Sequence, residues 1–373
     1  MSYRTRRSHR LTPAALVAGV AWLILGGPTV AHAEDAVVKY RDHSGKTETI
    51  KDTPQSKIVR ESLAGIELET GGGKSKANLK IPSTDIIDVR YVISAGSLDF
   101  NAALTADKKT ETVNDPTERQ KLVAEALDKY KKFETANKDK TPELVRRYVT
   151  FRKAMLKAQL AEADSDKLGE AADELKKYKL EHFDSWQTPV VIRTLASIEA
   201  QRPSPDFNTI ALFYDDLLKN PTIPKELRSE ATVAAAYAFM RAKRPADADK
   251  RAGDLLATLD SKDPNRERLE VIRIAAKGAS TGNAEETIKQ LQERLAKSNS
   301  PIAKAAIYNG LGEAYLAVGR KRDALWSFLW VDTVFNQDRV ELIRAVEHLA
   351  KLFEEYEDDD RARSYKAKLS RLR

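Results

Sequence analysis

Small side chains recur at intervals of 37 to 40 residues between positions 171 and 362 of this 373-residue chain. The stretches between them have helical periodicity and are separated by breaks such as Thr141-Pro142 and Ser300-Pro301. A unit of this length holds one helical hairpin, which cannot bury its apolar face alone, so successive hairpins must stack to form a core. The pattern therefore predicts about six stacked hairpins, an α-solenoid, over residues 116–373. The recurring positions are Ala171, Ala211, Ala248, Thr287, Ala324 and Ala362.

One unit, residues 305–338, carries a denser pattern. Gly312 and Ala324 are small where two helices cross closely, Gly319 permits a tight turn, and Phe328 fills the space between the helices. The full set of positions is Tyr308, Leu311, Gly312, Tyr315, Gly319, Ala324 and Phe328. This spacing resembles the tetratricopeptide repeat (TPR) family, although the family has Trp at the position of Tyr308 and usually Pro at that of Asn336. The resemblance implies a TPR-like solenoid, with longer or degenerate hairpins outside this unit.

The resemblance also implies where a partner would bind. In the TPR family the first helix of each pair lines a concave groove, which would place Asn309, Glu313 and Leu316 on that groove. Trp326 and Trp330 lie one turn apart on the second helix, which is apolar nearly all the way round. Core packing is the favoured interpretation of this pair, and a partner or oligomer contact is the alternative, because exposed aromatic pairs are typical hot spots. These five residues are the predicted partner-binding residues.

Residues 34–98 are predicted to form a small β domain. Ile66-Glu67-Leu68-Glu69 alternates apolar and acidic side chains, the signature of a half-buried strand. Five or six short strands in about 60 residues favour a curled sheet or an SH3/Sm-like barrel. The run from Ile81 to Ile86 loosely resembles the last strand of short β domains that precede helical repeats in some exported bacterial proteins. Residues 99–115 are polar and without pattern, which predicts a linker, and Asp115-Pro116 is expected to begin the first helix.

Residues 1–33 have the organisation of a Sec-type signal peptide. An apolar stretch from Ala14 to Leu25 is too short to span a bilayer, and Ala31-His32-Ala33 fits a peptidase site. Cleavage after Ala33 would leave a periplasmic or extracellular chain without a stable membrane span; an uncleaved anchor is the alternative. The basic residues that precede the apolar stretch are Arg4, Arg6, Arg7 and Arg10.

Removal of these four Arg residues changes what the net charge implies. The whole chain carries +7, from 63 basic and 56 acidic residues, so the cleaved chain would carry 59 − 56 = +3. Without the signal peptide, the remaining positive charge gives little support to a nucleic-acid partner. The chain has no Cys, and His43, His182 and His348, which remain after cleavage, show no metal-ligand spacing. No catalytic, cofactor-binding or metal-binding residues are predicted.

These observations predict a non-enzymatic protein-interaction or scaffold protein of the periplasm or cell envelope, whose solenoid binds a protein or peptide. The oligomeric state is left open. One alternative is a self-assembling structural protein of the envelope. Another is an anionic-ligand binder acting through the β domain. The charge of that domain argues against this alternative, because it has ten acidic and ten basic side chains.

Overall fold

A computed structural model describes residues 35–44, 47–70, 77–93, 96–113, 115–162, 164–261, 263 and 265–372. The predicted signal peptide lies outside these residues. The strands are β1 (Asp35–Ser44), β2 (Thr47–Asp52), β3 (Ser56–Ser62), β4 (Gly65–Thr70), β5 (Ala77–Pro82) and β6 (Ile86–Tyr91). The helices are α1 (Ser97–Thr112), α2 (Pro116–Asn137), α3 (Glu143–Ala161), α4 (Leu168–Glu181), α5 (Thr188–Gln201), α6 (Phe207–Leu218), α7 (Lys225–Arg241), α8 (Pro245–Leu256), α9 (Arg266–Thr281), α10 (Ala284–Lys297), α11 (Pro301–Ala317), α12 (Lys321–Thr333), α13 (Arg339–Glu355) and α14 (Asp359–Leu372).

The strands form one curled antiparallel sheet in the order β5-β4-β3-β1. Strand β1 is ten residues long, and it pairs with β3 near its start, with β2 along its second half and with β6 on its other side. Ile66 and Leu68 of β4 are buried, whereas Glu67 and Glu69 are partly exposed. This alternation confirms the predicted half-buried strand, and the curled sheet is the predicted small β element.

Helices α3 to α14 pack as six successive hairpins, and the first helices of neighbouring hairpins also contact each other, as α9 contacts α11 and α11 contacts α13. The recurring small residues identified in the sequence all lie in the second helix of a hairpin, and all are buried, from Ala171 in α4 to Ala362 in α14. Their size allows the paired helices to approach closely. The predicted TPR-like solenoid is thus confirmed.

No helix in the described part of the chain is long and apolar enough to cross a membrane.

The α11–α12 hairpin shows why its sequence pattern is so dense. Gly312 lies against Phe328, and a Cβ on Gly312 would stand 2.5 Å from that ring. Gly319 has φ 77° in the turn between the helices, a conformation that favours glycine. Helix α11 begins after Ser300, whose hydroxyl accepts a hydrogen bond from the Ala303 N–H at 3.2 Å.

The segment predicted as a linker is instead helix α1, so that prediction is wrong over residues 99–112. Phe100 anchors α1 in the core. Asp107 is buried as well, because it accepts hydrogen bonds from the Tyr130 hydroxyl at 3.0 Å and from Arg152 Nε at 2.6 Å. A polar residue that is buried with its partners has no apolar signature in the sequence. The predicted start of the next helix is confirmed by the Asp115 N-cap.

The sheet and the first helices share one hydrophobic core, in which residues of β1, β4 and β6 pack with residues of α1, α2 and α3. Leu63, in the turn between β3 and β4, is fully buried among side chains of α3, α4 and α5. Its backbone N–H donates to Asp184 Oδ1 at 3.0 Å. Nearby, Glu61 pairs with Arg147 of α3 and accepts a hydrogen bond from the Tyr91 hydroxyl at 2.6 Å. These contacts hold the sheet against the start of the solenoid.

Candidate protein-interaction surfaces

A buried polar network joins α7, α9, α11 and α13, and its centre is Glu341 in the first turn of α13, whose side chain is 0% exposed. Glu341 binds Arg268 of α9 and Arg344 of its own helix, each at 2.9 Å. The Tyr237 hydroxyl of α7 donates to the same carboxylate, and Asn309 Nδ2 of α11 donates to it at 2.8 Å. Side chains from the first helices of four successive hairpins therefore meet at one carboxylate.

The cations of this network determine the ionisation of Glu341. Burial alone would raise the pKa of Glu341, but the Arg268 and Arg344 guanidinium groups outweigh burial and hold that pKa below its usual range. Asp338, the N-cap residue of α13, supplies a second carboxylate to Arg268 at 3.1 Å. The Arg344 guanidinium also lies 4.0 Å from the centre of the Tyr237 ring. The negative charge of Glu341 is thus balanced by cations of the same network.

Glu313 of α11 extends the network. Its carboxylate lies 2.8 Å from Arg344 Nη2 and 3.3 Å from His348 Nε2. Burial of the carboxyl group would raise its pKa, but Arg344 and His348 lower the pKa of Glu313 to about 2. The His348 ring in turn stacks on Phe328, with ring centres 4.4 Å apart. The polar network is therefore in direct contact with the apolar interior of the α11–α12 hairpin.

These contacts engage two of the three residues that the sequence placed on a binding groove. Asn309 has no exposed surface and donates to Glu341, so its predicted exposure to a groove is wrong. Glu313 keeps about a third of its side chain exposed (32%) but is held in ion pairs, and Leu316 is half-buried against the core. A further ion pair between Arg241 of α7 and Glu347 of α13, at 3.0 Å, joins the two most distant helices of the network.

Two exposed and two half-buried aromatic side chains lie on α12 and the adjoining residues. We call Tyr308, Trp326, Trp330 and Phe335 the α12 aromatic surface. Tyr308 stacks on Trp330 and on Phe335, with ring centres 5.9 Å and 5.4 Å apart. Trp326, one turn before Trp330, is 56% exposed, and Trp330 is 45% exposed. Core packing of the two Trp residues, the favoured sequence interpretation, is therefore wrong.

Two cations flank the α12 aromatic surface. Lys304 Nζ lies 5.9 Å from the centre of the Phe335 ring, and Arg322 is exposed one turn before Trp326. Neither cation forms an ion pair within the part of the chain that the structure describes. The acids of α12 are already engaged, since Asp323 pairs with Arg320 and Asp332 is buried against Lys368. The surface therefore has an apolar centre and a positive rim.

An open pocket of about 490 Å³ is lined by residues of α2, α3, α5 and α14. Its lining includes Arg119, Gln159, Glu162 and Lys366. Burial raises the pKa of Glu162, although Arg119 opposes the rise. Among the described residues, no group of three His, Asp or Glu side chains is arranged to hold a metal ion.

Sequence reasoning missed the polar network, although one signal for it exists. Glu341, Ala345 and Leu349 follow one another at intervals of four residues, so a carboxylate stands on the apolar face of α13. A charge in that position must be paired inside the protein. Phe335 was missed for another reason: it lies two residues beyond the end of α12, where no helical spacing connects it with Tyr308.

The stacked hairpins, the glycine-to-phenylalanine crossing of α11 and α12 and the preceding sheet define a helical-repeat protein of TPR-like architecture. No family model matches the chain, and no curated protein matches it. Among solved structures it is similar to a tetratricopeptide repeat protein from Parabacteroides merdae, with 13% identity, 73% of this chain and 93% of that chain covered, and a TM-score of 0.45. The apo form of RapI has 13% identity, coverage of 75% and 76%, and a TM-score of 0.35. BtubC from P. vanneervenii has 16% identity, coverage of 62% and 91%, and a TM-score of 0.28.

Proposed function

We propose that this chain is a non-enzymatic interaction protein of the cell envelope that holds a protein partner on the α12 aromatic surface. The exposure of Trp326 and Trp330 on a helix fixed by hairpin packing carries the proposal. Large aromatic side chains on a rigid helix bury much apolar area on binding, and Trp and Tyr are enriched among interface hot spots. Stacking of Tyr308 on Trp330 holds the surface in place before a partner arrives.

The polar network supports an outer rather than an inner binding surface. On the face between α7 and α13, Arg268 and Glu341 are buried and paired with each other, so a peptide could use either charge only by separating the pair. Separating a buried ion pair leaves uncompensated charge and is costly. Of the predicted partner-binding residues, Trp326 and Trp330 are accordingly the ones that the proposal keeps.

Residues 1–33 support the proposed location in the cell envelope. Their basic start, short apolar stretch and small residues before Glu34 are typical of a cleaved secretory signal. Sequencing the N-terminus of the protein isolated from its host's envelope tests this directly. We expect the chain to begin at Glu34, and recovery of the intact N-terminus in the cytoplasm would contradict export.

Site-specific photo-cross-linking in the native host tests partner binding. A photo-reactive amino acid at Thr333, which is exposed beside Trp330, should capture a defined partner protein. The same group at Leu212, exposed on α6, is the matched control and should not capture that partner. Purified components should then reproduce the complex. Cross-links from Thr333 only to further copies of this chain would favour self-assembly instead, and no cross-links at all would contradict the proposal.

A further inference from the structure

We infer that the α12 aromatic surface binds an acidic amphipathic peptide segment of a partner protein. This inference rests on the proposed function and specifies the chemistry of the partner. Apolar side chains of the segment would pack on Trp326 and Trp330, and its carboxylates would pair with Lys304 and Arg322. The α12 aromatic surface and its two flanking cations carry the argument.

Charge complementarity selects an acidic partner. Lys304 and Arg322 lack ion-pair partners within the described residues, whereas the acids Asp323 and Asp332 of the same hairpin are already paired. A basic segment would therefore meet like charge, and an acidic one would find two cations ready to pair. Complementary charges at an interface rim favour association and exclude wrong partners.

The positions of the two cations set the length of the segment. Arg322 lies near the start of α12, and Lys304 lies beside Phe335, just beyond its end at Thr333. Thr333 follows Arg322 by eleven positions in the α-helix, which corresponds to about 17 Å along the helix axis. A helical segment of about twelve residues with an acidic side chain near each end spans the same distance.

A second copy of this chain is a poorer occupant. Its densest acidic run lies between α13 and α14, and several of those carboxylates are engaged within the molecule. Glu354 pairs with Lys366, and Glu355 pairs with Lys321. Asp358 and Asp360 pair with Arg361 and Arg363. A neutral glycan could stack on the indole rings but would leave Lys304 and Arg322 without counter-charges.

Tryptophan fluorescence of the purified chain gives a local readout of binding. Beyond residue 33 the chain has three Trp residues, of which Trp186 is buried, whereas Trp326 and Trp330 are exposed. The probes are two synthetic Trp-free amphipathic peptides with the same Leu and Phe anchors. One carries Glu at both ends, and the other carries Lys. We expect the Glu-ended peptide to shift the emission to the blue and to bind about tenfold more tightly, a difference of about 1.4 kcal/mol.

Variants of these side chains, none of which belongs to the surrounding hydrophobic core, locate the site. Trp326→Ala combined with Trp330→Ala should abolish binding of a fluorescein-labelled Glu-ended peptide, measured by anisotropy. Lys304→Glu combined with Arg322→Glu should reverse the preference in favour of the Lys-ended peptide. Lys289→Glu, on the exposed face of α10, is the matched charge control and should leave the preference unchanged.

Four results would overturn the inference. Two concern the peptides: equal affinity for both of them, and peptide binding that survives the loss of both Trp residues. The third is an emission shift with chito-oligosaccharide but with neither peptide. The fourth is a dimer, detected by sedimentation, that dissociates when both Trp residues are replaced. If the Thr333 cross-link captures a partner protein while neither peptide binds, the proposed function stands and this inference fails. If the Glu-ended peptide binds as expected but no partner is captured in the host, the peptide chemistry of the surface stands and the proposed function fails.

Discussion

Tyr237 and Glu341 stand 104 residues apart in the sequence, yet the tyrosine hydroxyl donates a hydrogen bond to the Glu341 carboxylate inside the protein. The bond connects α7 with α13 across two intervening hairpins. Arg268 reaches the same carboxylate from α9, and Asn309 reaches it from α11. An array in which each hairpin contacts only its neighbours needs no such bond. This part of the solenoid is therefore held together across its inner face as well as along its length.

Replacement of Glu341 by Ala should destabilise the protein more than most single substitutions. The change leaves the buried Arg268 and the largely buried Arg344 without their shared carboxylate. Removal of one partner from a buried ion pair costs about 3–5 kcal/mol, and urea unfolding followed by circular dichroism measures the loss. Asp360→Ala, which removes an exposed ion pair with Arg363, is the control and should have little effect. Equal stability of the two variants would contradict a structural role for the network.

Acid should weaken the network in a definite pH range. The pKa of Glu313 is lowered from 4.5 to about 2, so the folded state binds a proton on this group less readily than the unfolded state does. Its stabilising contribution is therefore fully present above pH 4.5 and is lost as the pH falls towards about 2. Glu313→Gln should flatten the fall in urea midpoint over this range. Glu293→Gln, at an exposed position on α10, should retain the wild-type slope.

The close crossing of α11 and α12 should not tolerate a methyl group. Gly312→Ala places a Cβ 2.5 Å from the Phe328 ring, which must move, together with His348 stacked on it. We expect a loss of about 1–3 kcal/mol in the free energy of unfolding. Gly169→Ala in α4 is the matched control, because no atom beyond its chain neighbours and the backbone of its own helix lies within 4 Å of the added methyl group. That substitution should be neutral or should stabilise the protein by up to about 1 kcal/mol.

Leu63 should matter more than its place in a turn suggests. Leu63→Ala removes a fully buried side chain from the core of α3, α4 and α5, at a cost of about 2–5 kcal/mol. Hydrogen exchange should show faster exchange in β3 and β4 and in the helices that surround Leu63. Leu180→Ala, at an exposed position of α4, should leave both stability and exchange unchanged. Faster exchange confined to the strands would mean that the turn is not coupled to the helices.

The sequence predicted most of this fold because its two periodicities are local properties. Alternation at Ile66 and Leu68 and the recurring small residues were both readable without a structure. Two failures have a common cause, which is that burial depends on distant neighbours. Asp107 looked like part of a linker because its partner Arg152 lies 45 residues away. Trp326 looked like a core residue because nothing local shows that no helix covers it.

The contact between Leu63 and Asp184 sets an order for folding. The two residues are 121 positions apart, and a chain made from its N-terminus exposes the strands long before α3 to α5 exist. Until those helices arrive, Leu63 is exposed and the sheet is only partly covered, and unpaired strands are prone to aggregate. We expect a factor that shields the strands during synthesis to raise the yield of native protein. Refolding of the complete chain should depend less on such help, since every packing partner is present from the start.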